Sequence, residues 1–181
     1  SELLNNKTNN SIAVVATERS LQPHLPPLEY LKSKCTQIKV GDKINIEELS
    51  IKLTKSGYVK SNNIDQEGTW SRRGDILDIY PVSSELPIRL ELFGNELEKI
   101  KEFDPITQRS LDKIKEIYIT PTGFNPLIAE KLLNSKSDEI KKLLSTEDYE
   151  LLKNSEESIT LKRFLGVAWE NPSSIIEYIN K

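Results

Sequence analysis

Two short runs gather the side chains best suited to recognition chemistry: Trp70-Ser71-Arg72-Arg73-Gly74-Asp75, and Ile88-Arg89-Leu90-Glu91-Leu92-Phe93 further on. An arginine presents a planar fork of N–H donors that fits a carboxylate, and an aromatic beside it is the composition of a protein-binding hot spot. Asp75 and Asp78 invite comparison with an acid–base or metal pair. Residues three apart on a strand point to opposite faces, so these two do not converge; the reading is a charge at a bend plus one paired at the strand rim. His24 is the single histidine and Cys35 the single cysteine. Neither a nucleophilic triad, a zinc cluster nor an internal disulfide can be built from them. No glycine-rich loop ending in Lys-Ser or Lys-Thr occurs, so no nucleotide site is readable.

The elements that carry these runs are short strands. "YVKSNN", "GTWSRR", "DILDIYP", "LPIRLELFG", "ELEKIKEFD" and "DKIKEIYIT" are separated by turn formers, and the economical arrangement is an antiparallel meander with a tight hairpin at "FGNE". Alternation puts Ile88, Leu90 and Leu92 on one face and Arg89, Glu91 and Phe93 on the other. With the aliphatic set inward, Phe93 either lies exposed beside Arg89 or is covered by a second layer. Arg72 and Arg73 alternate in direction, and Gly74 permits a bend that could bring one of them to the side of Arg89. The alternative is two solvated arginines paired with Glu67 or Asp75, worth little.

Before this block, "INIEELSIKLTKSG" reads as a helix. Asn45 caps it, Glu48 completes a capping-box-like pair, Ile44 and Leu49 form a staple, Gly57 stops it, and Ile46, Leu49 and Leu53 share a face. Further upstream, "SELLNNKTNN" reads as a mobile leader, "SIAVVAT" as a buried strand, and the proline-punctuated "ERSLQPHLPPLEYLKSK" as short helical turns. "CTQIKVGD" alternates into a turn at Gly41 and Asp42. After "TPTGFNP" the chain becomes helical, with Asn125 as a cap and Pro126 in the first turn, then "LIAEKLL", "DEIKKLL", "YELLKN", "ITLKRFLGVAW" and "NPSSIIEYI".

The whole chain has 181 residues, 36% hydrophobic and 29% charged, with a net charge of −3. That composition suits a cytoplasmic globular protein without a membrane span, and gives no basic footprint for nucleic acid. From Gly68 to Ser110 there are six basic and eight acidic side chains, so a protein partner with acidic groups is favoured over DNA. Absence of methionine and a last segment lacking a helix-ending glycine suggest a piece excised from something longer.

"GTWSRRGDILDIYP" followed by "LPIRLELFGNELEKIKEFDPITQRS" resembles the module shared by the nucleotide-excision-repair helicase UvrB and the bacterial transcription-repair coupling factors. "TQRS", "ITPTGF" and "VVATERSLQPHLPP" are similar to the coupling-factor branch, and the likeness extends roughly from Ser11 to Phe124. It implies an α/β (α+β) fold: a small antiparallel sheet with a packed helix, like UvrB domain 2, flanked by pieces of a degenerate helicase-like domain. The implied division is 1–41 for the leader and the end of that domain, 42–120 for the UvrA-binding module, and 121–181 for its helical continuation. The family's UvrA-contacting residues fall on Arg73, Arg89 and Phe93, with Arg72 as an additional contact, and this tips Phe93 toward exposure.

By that resemblance the segment is a non-catalytic module that recruits UvrA to stalled RNA polymerase. The equivalent region of UvrB, or a DNA-binding domain, are the alternatives. It needs no cofactor; ATP and magnesium belong to the parent's motor domains, and RNA polymerase and DNA are met by other domains. Replacing Phe93 or Arg89 by alanine is expected to abolish UvrA binding with little change in thermal stability.

Overall fold

The computed structural model describes residues 15–135, 137–154 and 159–179. The chain divides into two compact units, one contiguous from Lys34 to Gly123 and one formed by the segments that precede and follow it.

In the contiguous unit the elements are β1 (Thr36–Lys39), α3 (Ile46–Lys55), β2 (Val59–Lys60), β3 (Thr69–Arg73), β4 (Ile76–Ile79), β5 (Ile88–Phe93), β6 (Glu96–Phe103), β7 (Ser110–Ile114) and β8 (Glu116–Ile119). Ahead of them stand α1 (Glu18–Leu21) and α2 (Leu28–Lys34), which belong to the other unit up to Ser33. Helix α3 forms as its punctuation dictates. Asn45 Oδ1 accepts from the N–H groups of Glu47 and Glu48 at 3.0 and 3.2 Å, which satisfies two of the first-turn donors. Glu48 meets the Asn45 side-chain amide at 3.3 Å rather than its backbone N–H, so the capping box is closed through side chains. At the far end Tyr58 N–H donates to Leu53 O and Gly57 N–H to Thr54 O, both at 3.0 Å, the bonding of a Schellman motif. Ile46, Leu49 and Leu53 are buried.

Six strands lie in the order β2-β3-β4-β5-β6-β7, all antiparallel except the two-residue β2, which pairs with β3 in parallel. That parallel edge departs from the expected meander. So does "DKIKEIYIT": it is two strands, β7 on the large sheet's edge and β8 paired with β1 in a separate two-stranded ribbon. Because β1 pairs with β8 from Thr36↔Ile119 to Lys39↔Glu116, the unit begins at Lys34 rather than at Asp42, and it closes at Gly123. One face of the sheet joins α3 and the ribbon in a single core that includes Leu53, Trp70, Leu77, Ile79, Ile88, Leu90, Leu92, Leu97 and Ile100.

The other unit takes α1, α2, α4 (Asn125–Leu133), α5 (Asp138–Leu143), α6 (Thr146–Asn154), a 3₁₀ turn (Ile159–Phe164) and α7 (Ile175–Ile179). "ITLKRF" is thus a 3₁₀ segment, not an amphipathic α-helix. Asn125 is the first helical residue of α4; Phe124 occupies the cap position without a side-chain bond, and its C=O accepts from Ile128 N–H at 2.9 Å. The two segments of this unit are sewn together. Leu25 and Ser173 exchange backbone hydrogen bonds at 2.9 Å, and the Tyr178 hydroxyl donates to Pro26 O at 2.6 Å. Leu127, Ile128, Leu132, Leu152, Phe164 and Trp169 form its core, with Tyr30 edge-on to Trp169 at 6.2 Å.

"SELLNNKTNN" and most of "SIAVVAT" lie outside the described residues. The described end of the latter is not a buried strand: Val15 is 99% exposed, and Thr17 caps α1 by accepting from Ser20 N–H. No described helix is long and apolar enough to cross a membrane.

Candidate functional site

Cross-strand register decides which side chains share the sheet's outer face. Ser71, Asp78, Arg89 and Lys101 stand in one row across β3–β6, and Arg73, Ile76, Glu91 and Lys99 in the next. Phe93 lies two positions beyond Glu91 on β5 and so points the same way. Arg73, Arg89 and Phe93 therefore meet on one face. Arg72 does not join them: it pairs with Leu77, a core residue, and its guanidinium reaches Glu47 on α3 at 3.5 Å and Gly74 O at 3.2 Å.

Phe93 is 77% exposed, whereas Ile88, Leu90 and Leu92, its neighbours on the opposite face, are buried. Both arrangements left open by alternation are thereby decided for the isolated chain, in favour of exposure. Two tight turns frame the ring at one end of the sheet. Gly74 (φ 62°) begins the turn joining Arg73 to its partner Ile76, and Gly94 (φ 61°) the turn joining Phe93 to Glu96. A left-handed first position suits a two-residue hairpin and carries no Cβ penalty on glycine. Gly74 thus turns the chain instead of bending β3 within its length. Backbone bonds brace the second turn: Ile44 N–H donates to Asn95 O at 2.7 Å, and Gly41 N–H to Leu97 O at 2.8 Å. A register shift between Glu91 and Leu92 adds a bulge in the same hairpin.

Behind the exposed ring is a buried ionic cluster that the spacing argument did not find. Asp78 is 1% exposed, in the middle of the face and not at a strand rim. Arg89 grips it with two bonds, Nε to Oδ1 at 2.7 Å and Nη2 to Oδ2 at 2.9 Å, and Arg73 Nη2 adds a third at 3.1 Å. Three charge-assisted donors compensate the desolvated carboxylate. The Arg89 side chain is 17% exposed and lies 4.9 Å from the centroid of the buried Phe103 ring; its bonds to Asp78 raise its pKa further above the ordinary arginine value. Arg73 differs: 65% of its side chain is accessible. Beside them Lys101 donates to Glu91 at 2.6 Å. The only sequence signal for Asp78 was its place opposite Arg89 on an adjacent strand, which requires the register to be known.

The remaining candidates stay ordinary. His24 Nδ1 lies 2.6 Å from Gln22 O, a local turn contact, and Cys35 is a half-buried thiol whose pKa burial raises. Among the described residues no group of three histidine, cysteine or acidic side chains could hold a metal ion. What the face can do chemically is bind: an aromatic anchor in solvent, one arginine with donors to spare, and a second arginine locked beneath them.

Residues 36–123 match the family model described as UvrB interaction domain. Over 196 aligned residues the chain is 31% identical to the transcription-repair-coupling factor of Bacillus subtilis (strain 168), covering 98% of this chain and 17% of that protein. It is 33% identical over 179 residues to the factor of the same name from Staphylococcus aureus (strain Mu50 / ATCC 700699), covering 89% of this chain and 15% of that protein. The chain thus spans about a sixth of the length of these relatives. Sheet, capped helix and outer-face cluster all fall within the matched residues, and the segment 36–123 belongs to the UvrB interaction domain family.

Proposed function

We propose that the outer face of the six-stranded sheet is a docking surface for UvrA, and that the chain is the part of a transcription-repair coupling factor that brings UvrA to stalled RNA polymerase. The observation that carries the reading is Phe93: a large aromatic, 77% exposed, on a braced hairpin and on the face that also presents Arg73 and Arg89. An isolated exposed aliphatic is ordinary, but an aromatic with arginines around it is the composition of an interface centre. The family match and the relatives' names support UvrA and a repair setting. The module itself performs no chemical step in this reading; ATP, magnesium, DNA and RNA polymerase are engaged elsewhere in the parent.

The test is capture of purified UvrA by the chain, before and after Phe93→Ala, with thermal unfolding measured alongside. Loss of capture at an unchanged unfolding midpoint is the expected result. Equal capture by both proteins would remove the site assignment. Direct DNA binding is checked in the same samples: several phosphate contacts would give a steep loss of affinity with salt, and the acidic balance of the strand block predicts no such binding.

A further inference from the structure

The face contains an apolar side chain that neither the family resemblance nor the spacing of the arginines singles out. Ile76 opens β4 directly after the Gly74-Asp75 turn and is 38% exposed, while Leu77 and Ile79 of the same strand are fully buried. Its cross-strand partners are Arg73 on β3 and Glu91 on β5. Phe93 is the diagonal neighbour two positions past Glu91, a relation that puts side chains about 7–8 Å apart. Leu92 N–H donates to Asp75 O at 2.9 Å, so β5 still runs beside the β4 turn at that level and the diagonal is held.

Charge pairing decides what this strip asks of a partner. Asp78 is held by Arg89, and Glu91 by Lys101. Arg73 keeps 65% of its side chain accessible while giving one bond to Asp78, and Lys99, across from Glu91, adds a second exposed cation 4.0 Å from Glu98. Glu96, opposite Phe93, is the acidic neighbour at the turn.

We propose that Ile76 is a second apolar contact of the docking site, so that the recognition strip is Arg73, Ile76 and Phe93. It would take a surface of UvrA that offers an apolar groove long enough for both side chains, with a carboxylate at the Arg73 end. Arg89 then acts from behind, holding Asp78 and through it the direction of Arg73. This inference rests on the UvrA reading above.

The experiment measures UvrA affinity of the full chain carrying Ile76→Thr, Ile76→Val or Phe93→Ala. Threonine keeps the β-branch and the strand preference but exchanges a methyl-bearing arm for a hydroxyl; valine keeps the apolar surface. Expected are about five- to tenfold weaker binding for Ile76→Thr, near-normal binding for Ile76→Val, and roughly thirtyfold weaker binding for Phe93→Ala, with unfolding midpoints close to the parent's. If Ile76→Thr binds like the parent while Phe93→Ala is impaired, the strip is wrong and the docking reading stands. If neither substitution changes affinity, both fall. Equal loss in Ile76→Thr and Ile76→Val with a lowered midpoint would assign Ile76 to folding and overturn its contact role.

Discussion

Arg89 and Phe93 stand on the same strand and face, yet their burial gives them different work. Phe93 has almost nothing to lose on truncation except a partner, so Phe93→Ala should leave the unfolding midpoint unchanged. Arg89 is the main counter-ion of a carboxylate that is 1% exposed. Removing it leaves that charge short of two of its three donors, a class of change that costs about 3 kcal/mol or more, and Arg89→Ala should lower the unfolding midpoint clearly in a thermal melt. The expectation that Arg89→Ala spares stability is therefore corrected; only a midpoint equal to the parent's would restore it. Asp104 offers a pH test at the β6–β7 loop. Backbone and hydroxyl hydrogen bonds from Thr107, with a further one from Ile106 N–H, hold its carboxyl below the usual carboxylate range. A depressed folded pKa means stabilisation that is fully present above the ordinary value near 4 and is lost as pH falls through the folded one. In urea unfolding, the gap between parent and Asp104→Asn should accordingly be widest near neutrality and shrink below about pH 4; a gap independent of pH would contradict it. Alternation made the common direction of Arg89 and Phe93 legible, and the family likeness pointed to Arg73. The burial of Asp78 was not legible, because spacing along one strand says which way a carboxylate points and nothing about which guanidinium stands opposite.

Helix α3 is the element most completely written in the sequence. Asn45, Glu48, Leu49 and Gly57 are local signals, and each acts within one turn of where it stands. Asn45→Ala removes acceptors for two N–H groups and should cost about 1 kcal/mol in chemical denaturation, whereas a cost near zero would show that other contacts set the helix start. Strand boundaries at the sheet's margins were less legible for the opposite reason. β7 is exposed over Ser110–Lys113, so it carries no alternation of burial to separate it from β8. The division after Ile114 follows from Ile117 and Ile119 pairing with β1, a partner more than seventy residues away. β2 is two residues long and pairs with β3 in parallel, a short edge contact that no periodicity records. Likewise Asn125 and Pro126 announced the start of α4 correctly to within one residue, but Phe124, packed against the helical cores, took the cap position that Asn125 was expected to fill.

The contiguous unit is closed by pairing near its own two ends, through β1 with β8, and Thr122 N–H ties the last residues to the end of α3 through Ser56 O at 3.0 Å. A stretch with its own core, helix caps and end-to-end pairing meets the requirements of an independent domain. Residues 34–123 expressed alone should therefore unfold in a single cooperative transition; a broad, non-cooperative melt would show that the flanking segments are needed. The face proposed to dock UvrA lies entirely within this unit, so the same piece should hold whatever UvrA affinity the chain has. The most direct test of that claim is a titration of UvrA with the full chain and with its Phe93→Ala variant. The expected result is a dissociation constant weaker by roughly thirtyfold or more, about 2 kcal/mol, at an unaltered unfolding midpoint. Identical affinities for the two proteins would contradict it.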